Sequence, residues 1–211
     1  MIEWERVEVE VAPGCTVTVY RASDADRVLL GALERGADPY AAVLWPAAVA
    51  VARELPGRVR AGEAVLDLGA GTGLCALTAA RLGARAHALD HDRGALAAVR
   101  RAAARQGLVV AVSRFDLAGA DPLPPGELAM LADVLYEPEL ARAAAARVAE
   151  MLRRGGRAVV GDPGRIGRAV FAAALAAEGV PVEFEDRLVR VPGEEAATRV
   201  GVAWLEAPGG R

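Results

Sequence analysis

The chain contains no lysine, so all 25 of its basic residues are arginine. That excludes a phosphate-cradling loop of the Gly-Lys-Ser/Thr kind. Asparagine is absent as well, and the two gaps together read first as the bias of a GC-rich genome and second as thermal adaptation. Only two cysteines occur, Cys15 and Cys75. They are too few for a disulfide framework and lack metal-ligand spacing, so no metal is expected. No apolar run approaches ~18 residues without a charge, so no membrane-spanning helix is expected. The net charge is −3, which leaves no basic footprint for nucleic acid. The N-terminal MIEWERVEVE alternates charged with apolar residues and does not read as a signal peptide. These absences point to a cytoplasmic protein that binds neither nucleic acid nor membrane, and they leave the oligomeric state open.

What is present is enough for a full core. The 211 residues are 54% hydrophobic and 25% charged, the balance of a globular domain. Val7, Val9 and Val11, then Val17 and Val19, alternate around Pro13-Gly14 and predict a β-hairpin. A helix is expected from Asp24, which can cap it, to Gly36, and another from Pro46 to Leu55. From Glu63 onward strand and helix patterns alternate. Strands are expected at 64–68, 85–89, 108–112, 128–131 and 157–160, with helices at 74–82, 92–106, 138–152 and 167–178. Two further strands, 183–191 and 199–205, close the chain. Such alternation forces parallel strands with helices on both faces, and the closing pair adds one antiparallel strand. The expected fold is α/β in a single domain over 1–211, with a hairpin and helices in 1–60 and the core in 61–211.

Residues 64 to 73 read AVLDLGAGTG. A strand buried on both faces runs into alternate glycines and then a helix. Gly69, Gly71 and Gly73 leave backbone N–H groups and the positive helix end bare toward a ligand. Their spacing is not the G-x-x-G of a dinucleotide fingerprint. Asp67-x-Gly69-x-Gly71-x-Gly73 instead resembles the first motif of class I S-adenosylmethionine (SAM) methyltransferases.

In open sheets of this kind a ligand lies at the carboxyl ends of the strands, which directs attention to the residues there. Asp90 follows Gly69 by about 20 residues, the distance at which an acidic residue accepts from both ribose hydroxyls; its alternative, a helix cap, suits Asp92 better. His91 either lies beside the adenine or is simply exposed. Asp116 is placed to take the adenine amino group or to make a turn, while Phe115 reads as core. After the strand at 128–131 stands Asp133-Val134-Leu135-Tyr136. With no asparagine in the chain, this is not the Asn-Pro-Pro-Tyr loop of DNA-adenine and glutamine methyltransferases. A carboxylate there can hold a basic amine and a tyrosine can add an aromatic wall. Gly161-Asp162-Pro163-Gly164-Arg165 reads either as only a helix-entry turn or as placing Asp162 and Arg165 on the ligand rim.

Together with Pro39-Tyr40 and Trp45-Pro46, these motifs resemble the seven-β-strand protein lysine methyltransferases, most of all the family that methylates the β subunit of electron transfer flavoprotein. The resemblance covers about residues 38 to 165. It implies a class I methyltransferase Rossmann-like sheet of seven strands, the last antiparallel. It implies SAM as donor, S-adenosylhomocysteine as product and a protein lysine as acceptor. The donor site would comprise Asp67, Gly69, Gly71, Gly73, Asp90, His91 and Asp116, with Asp133 and Trp45 reaching it from the acceptor side. Asp133, Tyr136 and Trp45 would serve the transfer itself. Two departures are Ala47-Ala48, where relatives tend to carry glycines, and an unmatched stretch of ~45 residues at the C-terminal end. A small-molecule N- or O-methyltransferase and a non-catalytic SAM-binding module remain the alternatives.

Overall fold

The computed structural model describes residues 3–33 and 40–207. Asp38, Pro39 and the expected helix end at Gly36 lie outside the described residues. The hairpin forms as expected from β1 (Trp4–Ala12) and β2 (Cys15–Ala22), paired antiparallel. Val7, Val9 and Val11 face inward while Glu8 and Glu10 face out. Helix α1 (Ala25–Leu33) starts where Asp24 Oδ1 accepts the Arg27 N–H at 2.8 Å, a side-chain cap. A 3-10 turn at Tyr40–Ala42 leads to α2 (Pro46–Glu54), which begins on proline, where the missing N–H costs nothing.

The alternating part follows. It consists of β3 (Ala64–Leu68), α3 (Leu74–Arg81), β4 (Arg85–Asp90), α4 (Arg93–Arg105), β5 (Val110–Arg114) and β6 (Leu128–Ala132). After these come α5 (Pro138–Arg153), β7 (Arg157–Asp162), α6 (Arg168–Ala177), β8 (Glu185–Val189) and β9 (Thr198–Glu206). Strands β3 to β9 form one seven-stranded sheet in the order β5-β4-β3-β6-β7-β9-β8. Every pairing among β3 to β7 is parallel, and β9 alone runs against its neighbours. The order reverses between β3 and β6, which opens a crevice beyond their carboxyl ends.

Period-2 alternation sorts the strand residues into two cores. Val65, Leu128, Met130 and Val159 join α2, α3, α4 and the hairpin on one side. Leu66, Leu68, Ala129, Leu131 and Val160 join α5 and α6 on the other. Gln106, at the C-terminal end of α4, hydrogen-bonds the edge of the hairpin. Gln106 accepts from Thr18 N–H at 2.9 Å and donates to Thr18 C=O at 2.8 Å, satisfying an edge that would otherwise be unpaired.

Several boundaries shift by one to a few residues, and two of the shifts have a clear cause. Strand β5 starts at Val110, not Leu108, because Leu108 N–H donates to Ala103 C=O and Gly107 is left-handed (φ 62°). Those residues therefore close α4 rather than begin the strand. Strand β7 runs to Asp162 because β9 pairs with it that far, Asp162 opposite Gly201. Among the described residues no helix is long and apolar enough to cross a membrane.

Candidate active site

Between β3 and α3 the chain turns on three left-handed glycines, Gly69 (φ 73°), Gly71 (φ 51°) and Gly73 (φ 73°). They differ in what a side chain would meet. A Cβ on Gly69 would lie 2.8 Å from Val134 Cγ1, and one on Gly73 would lie 2.5 Å from Val99 Cγ2 on α4. A Cβ on Gly71 would meet only Ala41 C=O, at an ordinary 3.5 Å. Gly69 and Gly71 border a cavity of about 320 Å³, whereas Gly73 sits behind it, where α4 packs against the turn. Asp67 also sits behind the turn. It is buried, and its Oδ2 accepts the Ala76 N–H at 2.9 Å in the first turn of α3. Burial pushes its carboxyl up to about 7, against the pull of that N–H.

Asp90 ends β4 and faces the cavity. Its Oδ2 accepts from Gly71 N–H at 2.8 Å and its Oδ1 from Asp92 N–H at 2.8 Å. Burial holds this carboxyl above its usual value, while both N–H groups pull it down. Asp92 is the cap of α4, accepting from Ala95 N–H at 2.7 Å, so the two acidic residues divide the roles. His91 is exposed, yet borders the cavity, with Nδ1 3.6 Å from Asp90 Oδ1. Asp116 makes the turn, its Oδ1 accepting Ala118 N–H at 3.0 Å, and it borders the cavity. Phe115 is core, with the Arg147 guanidinium 5.1 Å from its ring centre.

The same cavity also carries an aromatic wall. Trp45 Nε1 donates to Tyr40 C=O at 3.0 Å. The Tyr40 ring centre is 6.0 Å from that of Trp45 and 5.3 Å from that of Tyr136. Asp133 also borders the cavity, with a left-handed backbone (φ 59°) that is rare outside glycine. The expected free carboxylate is not found there. Arg165 takes both oxygens of Asp133, with Nε 2.7 Å from Oδ1 and Nη2 3.1 Å from Oδ2. Burial pushes the Asp133 carboxyl up and the Arg165 bonds oppose it, while Asp133 in turn raises Arg165.

Of the two readings open to it, Asp162 takes the turn before α6 and not the ligand rim. It is fully buried at the end of β7. Its Oδ1 accepts from Gly164 N–H, Arg165 N–H and Arg168 Nε at 2.7, 3.0 and 2.9 Å. Sequence reasoning also missed Tyr40 as a wall of the site and Arg165 as the partner of Asp133. The clustering of Tyr40-to-Trp45, 133–136 and 161–165 as three motifs was the only signal, and it carried no pairing.

A profile of the methyltransferase domain family matches residues 65–156, from β3 to the end of α5. The seven-stranded sheet that holds these residues has the class I methyltransferase fold. The chain is 39% identical over 108 residues to a ribosomal protein L11 methyltransferase of Thermus thermophilus. It is 40% identical over 109 residues to the enzyme of the same name from Marinobacter nauticus. The matches take in 51% and 50% of this chain, but only 41% and 35% of those proteins. The chain thus spans well under half the length of the curated relatives it matches. A 16S rRNA N2 G1207 methyltransferase of T. thermophilus, solved with SAM and guanosine, shares the fold. That match has a TM-score of 0.65 at 16% identity, covering 98% of this chain and 51% of the other.

SAM is the cofactor of this methyltransferase domain, and the residues present fit it. Gly69 and Gly71 offer backbone alone to the cavity, so a ligand can lie against the turn. The buried Asp90 carboxylate retains lone pairs for hydroxyl donors. Leu117 and Val134 add apolar wall.

Proposed function

We propose that this protein is a SAM-dependent N-methyltransferase acting on another protein, with a lysine side chain as acceptor. The observation that carries this is the continuity of one cavity from the glycine turn and Asp90 to the wall of Tyr40, Trp45, Asp133 and Tyr136. Bound there, SAM would supply a sulfonium methyl to an acceptor nitrogen, with S-adenosylhomocysteine and the nitrogen's proton as the other products. The residues of this chain contribute position and exclusion of water. On this reading Gly69, Gly71, Asp90, His91 and Asp116 hold the donor, with Asp67 and Gly73 setting the turn from behind. Trp45, Tyr40 and Tyr136 wall the path of the acceptor, where ring faces can receive an amine and its methylated products. Asp133, Trp45 and Tyr136 shape the meeting point.

Two observations support a protein substrate. The curated relatives are named for a ribosomal protein, and the motifs at 39–46, 133–136 and 161–165 resemble those of the flavoprotein-methylating family. The finer reading is the β subunit of electron transfer flavoprotein as substrate. The experiment is incubation with SAM and, separately, purified ribosomal protein L11 and the flavoprotein β subunit, followed by mass spectrometry of lysine peptides. Methylated flavoprotein lysine supports the finer reading, and methylated L11 supports a protein acceptor but replaces the flavoprotein. If neither protein is labelled while a small metabolite is, a small-molecule methyltransferase takes the place of this proposal.

A further inference from the structure

Asp133 borders the cavity, yet its carboxylate is closed to it. The side chain is only 2% exposed, and both oxygens are taken by Arg165. Arg165 is itself held on two sides. Its backbone N–H donates to the buried Asp162, and its guanidinium lies 5.3 Å from the Trp45 ring centre. Asp162 is balanced separately by Arg168. Asp133 has a left-handed backbone (φ 59°), and both its oxygens pair with Arg165. The three motifs around the acceptor end therefore converge on one neutralised ion pair.

The chemistry makes that pairing consequential. A lysine amine attacks only when uncharged, and its unperturbed pKa is about 10.4. A lone carboxylate at contact distance would hold the proton on and cut the uncharged fraction by a further ten- to thousandfold or so. We propose that Arg165 is a positioning residue that balances the charge of Asp133, so that the acceptor end of the cavity admits an amine in its uncharged, nucleophilic form. This rests on the N-methyltransferase reading above. The other charged or titratable groups around the cavity are Asp90 and His91 past β4, Arg114 and Asp116 past β5, and Tyr40 and Tyr136 in the aromatic wall. Asp162 acts on Asp133 from β7.

The test is binding of n-butylamine, a mimic of the lysine side chain, to the full chain saturated with S-adenosylhomocysteine, by calorimetry between pH 8 and 9.5. If the uncharged amine binds, affinity for total amine rises about tenfold per pH unit, as the neutral fraction does. Arg165→Met leaves Asp133 to take the ammonium form, so its affinity at pH 8 should exceed that of wild type by tenfold or more and the pH slope should vanish. Arg165→Lys keeps the charge and should keep the slope. Asp133→Asn/Arg165→Met removes both charges and should restore it. A flat profile in wild type, no amine binding at all, or an unchanged slope in Arg165→Met overturns the proposal. Should Arg165→Met not fold, the wild-type profile still decides, since only a rising one agrees with the proposal. Failure to bind S-adenosylhomocysteine in the first place would instead sink the methyltransferase reading, and this inference with it.

Discussion

Gly71 donates its N–H to Asp90 Oδ2 at 2.8 Å, so the glycine turn after β3 and the acidic residue ending β4 are one unit. Losing the Asp90 side chain therefore removes a ligand acceptor and releases the turn at once. Asp90→Ala should weaken S-adenosylhomocysteine binding by about 1–3 kcal/mol, the scale of a charged group left without its partner. Calorimetry on wild type and variant measures this directly. Unchanged affinity would remove Asp90 from the donor site.

The glycines should separate by function. Gly73→Ala puts a methyl 2.5 Å from Val99 Cγ2 in a left-handed backbone, so it should cost about 2–4 kcal/mol of stability by overpacking and strain. Val99→Ala in the same chain should recover part of that loss. Gly71→Val meets the cavity rather than the core, so it should mainly abolish donor binding. Urea denaturation paired with ligand titration checks both, and a Gly73→Ala protein as stable as wild type would show that α4 can yield.

Asp67 should make stability depend on pH. Its carboxyl is raised to about 7 by burial, above its unfolded value, so the folded state binds the proton more tightly. The resulting stabilisation is fully present below the unfolded value and is lost as pH rises through about 7, on the order of 4 kcal/mol in all. Asp67→Asn cannot titrate. The difference in unfolding free energy between wild type and variant should shift against wild type by up to about 1.4 kcal/mol per pH unit between pH 4.5 and 7. Denaturation of the ligand-free protein across that range is the measurement, and parallel curves would contradict it.

Asp162 should prove structural. Removing it strands Arg168 Nε and the N–H groups of Gly164 and Arg165. Asp162→Ala should destabilise by about 3–5 kcal/mol, as breaking a buried pair does. It should also loosen Arg165 and with it Asp133. Thermal unfolding tests the first part, and loss of the rising amine profile described above tests the second.

Local chemistry made much of this protein readable in advance. Val7 to Val19 alternate, so the hairpin follows from period alone. Asp24, Pro46 and Asp92 start helices because their own atoms or fixed φ suit a helix end. The turn at 69–73 was legible because only glycine adopts those angles freely so near other atoms.

The order of elements, the glycine turn and the residue types at the strand ends were therefore set locally, since each depends on neighbours a few positions away. Only the tertiary structure decided which strand-end residues face the cavity and which charges cancel. Asp162 became buried because β9, about 40 residues later, pairs along β7 to its last residue. Asp67 and Gly73 moved behind the turn because α3 and α4 pack there. Asp133 and Arg165, 32 positions apart, met because β6 and β7 are parallel neighbours whose ends lie side by side. A charge in a sequence has a sign but no partner. The partner is set by which strands the sheet brings together, and it decides whether Asp133 confronts a substrate or is already neutralised.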